Sequence, residues 1–217
     1  MLSADLVSHI DHLVIGAYDL TAGRNYVQQI FGVLPVMGGI HKSMGTHNCL
    51  LRLGISIYLE VISVNRSIDQ PKRPHWFDLD KILPDTEPRL LTWVVRTNYI
   101  EEVASGSKIR FGKIEKMSRG NLEWSIAIRK DGSMPMQGIA PTLIQWQTFP
   151  HPADSLPESG YSLIRLEAYH ANAHIINKTL FSIGFQGQFT VEKAEKDSKP
   201  SLIACFETPN GHKKIMS

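Results

Sequence analysis

One pattern constrains the fold of this chain more than any other: a strand, a short helix, then strands joined by tight turns, written more than once. The first copy opens with "IDHLVIGAY", an apolar and partly β-branched run that reads as a strand. Asp19 then stands where a helix cap is wanted. Leu20, Tyr26, Val27, Ile30 and Phe31 follow at roughly helical spacing, and Gly32 closes the helix. "VLPVM" is a short strand, and a glycine pair and polar loop lead to "NCLLRLG" and "SIYLEVISV", split by Gly54. The pattern restarts at "LLTWVVRTN", with "YIEEVAS" as its helix, "IRFGKIEKM" and "LEWSIAIRK" as a strand pair around "SRGN", and "APTLIQWQTF" as the closing strand. It starts a third time at "YSLIRLEAYH", with a helix ending at Gly184, and lacks room for one full strand. The divisions are a first β-α-β-β-β unit over 8–65, a linker over 66–88 carrying Pro71, Pro74, Pro84 and Pro88, a second unit over 89–150, and a third, partial unit over 160–217.

Strands joined by tight turns, with one short helix per unit, predict an α+β fold rather than a doubly wound parallel sheet. Its curved mixed or antiparallel sheets would have helices on one face, and two units side by side would enclose a cleft. The composition agrees with a folded globular chain: 42% of the 217 residues are hydrophobic and 20% charged. Net charge is +2 and the cations are scattered, which leaves no basic stripe for nucleic acid. No segment reads as a membrane span. The opening "MLSADLVSHIDHL" lacks the basic and apolar parts of a secretory leader, so a cytoplasmic protein is expected. Cys49 and Cys205 form no CxxC pair and sit in apolar runs, as two reduced, buried thiols would. No GxSxG elbow, P-loop or Rossmann fingerprint is present.

The residues with chemistry cluster in the strands. His12 heads an otherwise apolar strand, and Glu60 lies between Leu59 and Val61 in a run that reads as buried. An unpartnered carboxylate there is costly. A histidine or a metal would satisfy it, so the pair either ties two strands together or forms the centre of a site. His47 and Asn48 stand at a loop-to-strand junction, where they either reach a cleft mouth or, for Asn48, cap a turn. His151 sits between two prolines and reads as a surface histidine. Trp93, Trp124 and Trp146 are core candidates, one of which can line an apolar pocket. Glu167 and His170 read as a structural pairing in the third unit.

The ordered set "DHLV", "GTHN" and "YLE" in the first unit, with "LLTWVVRT", "LIQW" and "HPAD" in the second, resembles the glyoxalase-like branch of the vicinal oxygen chelate superfamily, which also includes bleomycin-resistance proteins and dioxygenases. The resemblance implies a divalent metal (Zn, Mn, Ni, Fe or Mg) in a cleft between two units, with ligands on the first and last strands of each. Carried onto this chain, the ligands are His12, Glu60 and Gln145, and the fourth position falls on Thr92 or Leu91. Leucine cannot ligate and threonine is a poor ligand. Catalytic roles fall on Glu60 and His12, and substrate binding on His47, Asn48, Trp146 and His151. The function so implied is binding of a small oxygen-bearing metabolite or xenobiotic, with metal-assisted lyase, isomerase or dioxygenase chemistry. The alternative is metal-free sequestration of a small molecule, and a third reading is a structural protein with a vestigial cleft. A monomer or homodimer is expected, with no nucleic-acid or membrane partner.

Overall fold

The computed structural model describes residues 6–195 and 198–217. Residues 1–5, part of the stretch read for a leader, lie outside the described residues. The chain runs β1 (Ser8–Gly16), α1 (Leu20–Phe31), β2 (Val36–His41), β3 (Thr46–Arg52), β4 (Tyr58–Val64), β5 (Arg89–Thr97), α2 (Ile100–Ser105), β6 (Lys113–Arg119), β7 (Leu122–Ile128) and β8 (Thr142–Trp146). It continues through β9 (Ser162–His170), α3 (Ala173–Ser182), β10 (Phe185–Gln186), β11 (Phe189–Lys193), β12 (Ser201–Thr208) and β13 (Gly211–Met216). The fold is α+β, as the strand and turn pattern implies.

The first two units form one sheet in the order β2-β3-β4-β1-β5-β8-β7-β6. Each unit pairs its first strand parallel to its last, β1 with β4 and β5 with β8, and the two units meet along antiparallel β1 and β5. His12 and Val94 face each other across that seam. The sheet curls until its edges, β2 and β6, approach each other, with Gly39 against the Arg119 side chain.

Alternation along the strands sorts side chains to two faces. The outer face carries Leu13, Ile15, Leu59, Val61, Trp93 and Val95 into the main core. Helix α1 lies over it because Leu20, Val27 and Phe31 fall on one stripe, and burial of each such side chain contributes about 1.5–3 kcal/mol. The helix starts where the Asp19 carboxylate accepts the Ala22 N–H at 2.8 Å, and it ends at Gly32 in the left-handed region. The inner face holds a second cluster, with Val14, Ile62, Val94, Trp124, Ile126 and Ile144 on the strands. Trp76 and Phe77 join it from a 3-10 segment, Trp76–Lys81, within the proline-rich linker.

The C-terminal segment differs from the two units before it. It too runs strand, helix, strands, but its sheet order is β11-β9-β12-β13, so the first strand pairs parallel to β11 instead of to the final strand. The short β10 leaves that sheet and pairs with Ser8 and His9 of β1. The C-terminal segment covers the outer face: Phe185 and Phe189 pack on Trp93, and Tyr161 and Phe206 on Phe31. Cys49 and Cys205 are both free and buried. Glu167 and His170 do not pair with each other; Glu167 accepts from Arg165, and His170 contacts Gln137.

Candidate functional site

The inner face of the curled sheet forms a narrow cavity with His12, Asn48, Tyr58, Glu60, Arg119 and Trp146 among its lining residues. His12 and Glu60 reach it from β1 and β4, as alternation requires. Asp11 should then point the other way, yet it is fully buried against His12. The reason is a register shift in β1: Ile10 opposes Val95 and His12 opposes Val94, so Asp11 is an extra residue in the pairing with β5. A bulge of this kind re-aims a side chain, and it places two successive polar groups together.

Asp11 is the hub of a buried network. One carboxylate oxygen lies 2.6 Å from His12 Nδ1, and the other lies 2.9 Å from both Trp146 Nε1 and His151 Nε2. Burial alone would raise the Asp11 pKa, but the bonds and charges of His12 and His151 outweigh it and hold the carboxyl far below its usual range. His151 is fixed in turn by the 3-10 turn Pro152–Ser155, whose Ala153 N–H donates to its Nδ1. With Nδ1 accepting that bond, Nε2 is the nitrogen that donates to Asp11.

With Nδ1 of His12 committed to Asp11, its Nε2 is the free nitrogen. It lies 3.6 Å from Glu60 Oε2, beyond hydrogen-bond length. Tyr58 stacks on the ring at 4.6 Å and holds its plane, and burial pushes the Tyr58 phenol well above its ordinary pKa. Glu60 Oε1 accepts from Asn48 Nδ2 at 2.6 Å. The Asn48 orientation is settled by its other end, where Oδ1 accepts both the Gly39 N–H and Arg119 Nη1 at 2.9 Å. That contact needs the glycine pair. A Cβ at Gly38 would lie 2.1 Å from Asn48 Oδ1, and one at Gly39 2.7 Å from Arg119 Cδ. Arg119 also donates to His41 Nε2 at 3.0 Å. Desolvation first, then Arg119, pushes the His41 pKa down to about 3, so this ring is neutral and its Nδ1 proton faces Thr46 Oγ1.

The structure thus joins His12, Trp146 and His151 through Asp11, and Glu60 and Asn48 in a second network whose carboxylate lies 3.6 Å from His12 Nε2. It does not bring Gln145 or His47 into either network. Gln145 precedes cavity-lining Trp146 by one residue, and its amide oxygen accepts the Ile100 N–H at the head of α2. His47 precedes Asn48 in the same way and is part-exposed, with desolvation lowering its pKa. Thr92 spends its hydroxyl on Gly138 O, and Leu91 packs in the inner cluster.

The sheet register identifies the true counterparts of the first-unit pair. His12 pairs with Tyr58 and Val14 with Glu60; in the second unit Val94 pairs with Thr142 and Arg96 with Ile144. The positions equivalent to His12 and Glu60 are therefore Val94 and Ile144, and neither can ligate. No group of three His, Cys, Asp or Glu side chains suited to a metal occurs among the described residues. Two donors, with a guanidinium in the same cavity wall, do not fit a divalent metal held between two units. Sequence reasoning passed over Asp11, His41 and Arg119. The DH dipeptide and the GG pair were the available signals for two of them, and Arg119 stood in what read as a hairpin turn.

A curled sheet of two β-α-β-β-β units around a polar cavity is the vicinal oxygen chelate fold. The chain matches the model of the glyoxalase-like domain family over residues 10–182, and it belongs to that family. No curated protein matches it. Among solved structures, a hypothetical protein from Staphylococcus aureus has a TM-score of 0.59 at 13% identity, over 87% of this chain and 86% of that one. Methylmalonyl-CoA epimerase from Mycobacterium tuberculosis has a TM-score of 0.43 at 17% identity, over 71% of this chain and 97% of that one. No helix among the described residues is long and apolar enough to cross a membrane.

Proposed function

We propose that the protein is an enzyme that moves a proton on a small oxygen-bearing metabolite, at a carbon beside a carbonyl, using His12 and Glu60. The observation that carries this reading is the buried Asp11–His12 pair with a free Nε2 facing the Glu60 carboxylate across the cavity floor. Asp11 holds the imidazole in one tautomer and stabilises the imidazolium that forms when Nε2 takes a proton. Glu60, oriented by Asn48, is the second proton carrier. A base and an acid side by side suit an isomerase or a lyase more closely than an oxygenase. Trp146 and His151 are positioning residues that lock Asp11. The donor set favours chemistry without a resident metal, and no step here is routed through one.

The same apolar residues at Val94 and Ile144 favour a second reading, a protein that binds a small molecule and leaves it unchanged. Hydrogen exchange decides between them. Protein in D2O is incubated with pyruvate, dihydroxyacetone and phenylpyruvate, with EDTA or with added Zn²⁺, Mn²⁺ or Mg²⁺, and loss of the C–H signal beside the carbonyl is followed by NMR. Exchange above buffer that His12→Ala and Glu60→Gln abolish is the expected result. Exchange that depends on added metal would restore the metal-assisted reading. No exchange under any condition would overturn the enzyme reading in favour of the binding protein.

A further inference from the structure

Two cavity groups have no part in the proton-transfer chemistry. The Trp76 ring lines the cavity and is 4% exposed, and its indole N–H is buried without a hydrogen-bond partner among the described residues. Buried donors in native proteins almost always have a partner, so an orphaned one at a cavity wall points to an acceptor that arrives with a ligand. Arg119 is the second group. Its guanidinium reaches the cavity from the edge strand β6, yet among the described residues it pairs with no carboxylate. Its bonds are to a neutral amide and to a neutral imidazole, both through Nη1. Nη2 has no such bond among the described residues, and a guanidinium presents its donors as a fork that matches a carboxylate.

The remaining walls are rings. Trp76 meets Phe77 in a stack at 5.4 Å and His41 edge-on at 5.1 Å, and Trp124 meets Trp146 at 5.5 Å. Rings arranged this way present faces and edges to a flat ligand. We propose that the ligand is a small, flat, unsaturated carboxylic acid, its carboxylate held by the Arg119 guanidinium and the Trp76 indole N–H. This rests on the proposed proton-transfer reading and names its substrate class. Asn48 joins the two halves of the site, since it accepts from Arg119 and donates to Glu60. A carboxylate at Arg119 therefore leaves the body of the acid directed toward Glu60 and His12.

The test is calorimetric titration with benzoate, benzamide and cyclohexanecarboxylate. Benzoate should bind at least about tenfold more tightly than benzamide, as expected when a charged acceptor replaces a neutral one. It should also bind more tightly than the non-planar acid. Trp76→Phe keeps a ring and removes the N–H, and it should weaken benzoate about tenfold while leaving benzamide nearly unchanged. Arg119→Lys keeps the charge without the fork and should weaken benzoate too, with circular dichroism to check folding. Equal affinity for benzoate and benzamide, no effect of Trp76→Phe, or no binding of any of the three would overturn the proposal. Those ligand comparisons on the unaltered protein hold even if a variant fails to fold. If cyclohexanecarboxylate matches benzoate, the requirement for a flat body is overturned. Glu60→Gln separates this inference from the catalytic one: it should lose hydrogen exchange and still bind benzoate.

Discussion

His12 and Val94 occupy equivalent positions in two copies of one unit and face each other across the β1–β5 seam, yet one belongs to a polar network and the other is buried in an apolar cluster. The same holds one layer along, where Glu60 in β4 has Ile144 as its counterpart in β8. The first unit supplies His12, His41, Tyr58 and Glu60 to the lining, with Asp11 bonded to His12 outside it. The second supplies Trp124, Ile126, Ile144 and Trp146, with Arg119 as its one charged contribution to the lining. The two units present equivalent positions to the cavity, but their residues differ in kind. One half lines the cavity with ionisable groups, and the other with aromatic and aliphatic surface and a cation. A metal bridging both halves needs donors from both, whereas a proton relay needs them from only one.

The largest effect expected from breaking this division is on chemistry in the first half. Glu60→Gln should lower hydrogen exchange by about a hundredfold or more, read by the NMR assay, because general acid-base groups typically contribute that much. Next comes the hub. Asp11→Ala removes a fully buried carboxylate and leaves three donors without an acceptor. With about 1–3 kcal/mol for each stranded group, a loss of at least about 3 kcal/mol is expected in chemical denaturation. The comparison can also be sharpened by making the halves alike. Val94→His combined with Ile144→Glu should raise zinc content at least about tenfold over the unaltered protein, measured by elemental analysis after dialysis, since N and O donors then converge from both units.

The smallest effect concerns acid stability. His41 is neutral when folded, with its pKa pushed down to about 3, while in the unfolded chain it titrates near 6.5. Between these values the unfolded state binds the extra proton, so stability falls as pH drops from about 6.5 toward 3. His41→Gln should make the decline of Tm over that interval shallower, as followed by circular dichroism.

The repeat was legible because each unit needs its own apolar periods and turns, and His12 and Glu60 were legible because an ionisable group in a buried run demands a partner. Gln145 shows where the reading stops. Strand periodicity fixes which residues share a face, but a one-residue offset moves every side chain to the opposite face. Ile144 and Trp146 face the cavity, and Gln145 between them faces α2. Asp11 was hidden by the bulge, since that extra residue is defined only against the paired strand β5. Arg119 belongs to an edge strand that meets its partners only once the sheet has curled. The C-terminal segment repeats the order of elements but not the pairing of strands, because local patterns specify elements while long-range packing chooses their neighbours.

The placement of β10 bears on where this chain can be cut. The family match ends at residue 182, the last residue of α3. A protein trimmed to that boundary would keep β9 and lose both of its neighbours, β11 and β12. It would also lose the backbone partners of Ser8 and His9, and uncover Trp93 where Phe185 and Phe189 now cover it. Open strand edges beside bared aromatic surface are a recipe for self-association. The residues just upstream of His12 would lose their anchor as well, so the final 35 residues (183–217) help to hold in place the strand that bears His12.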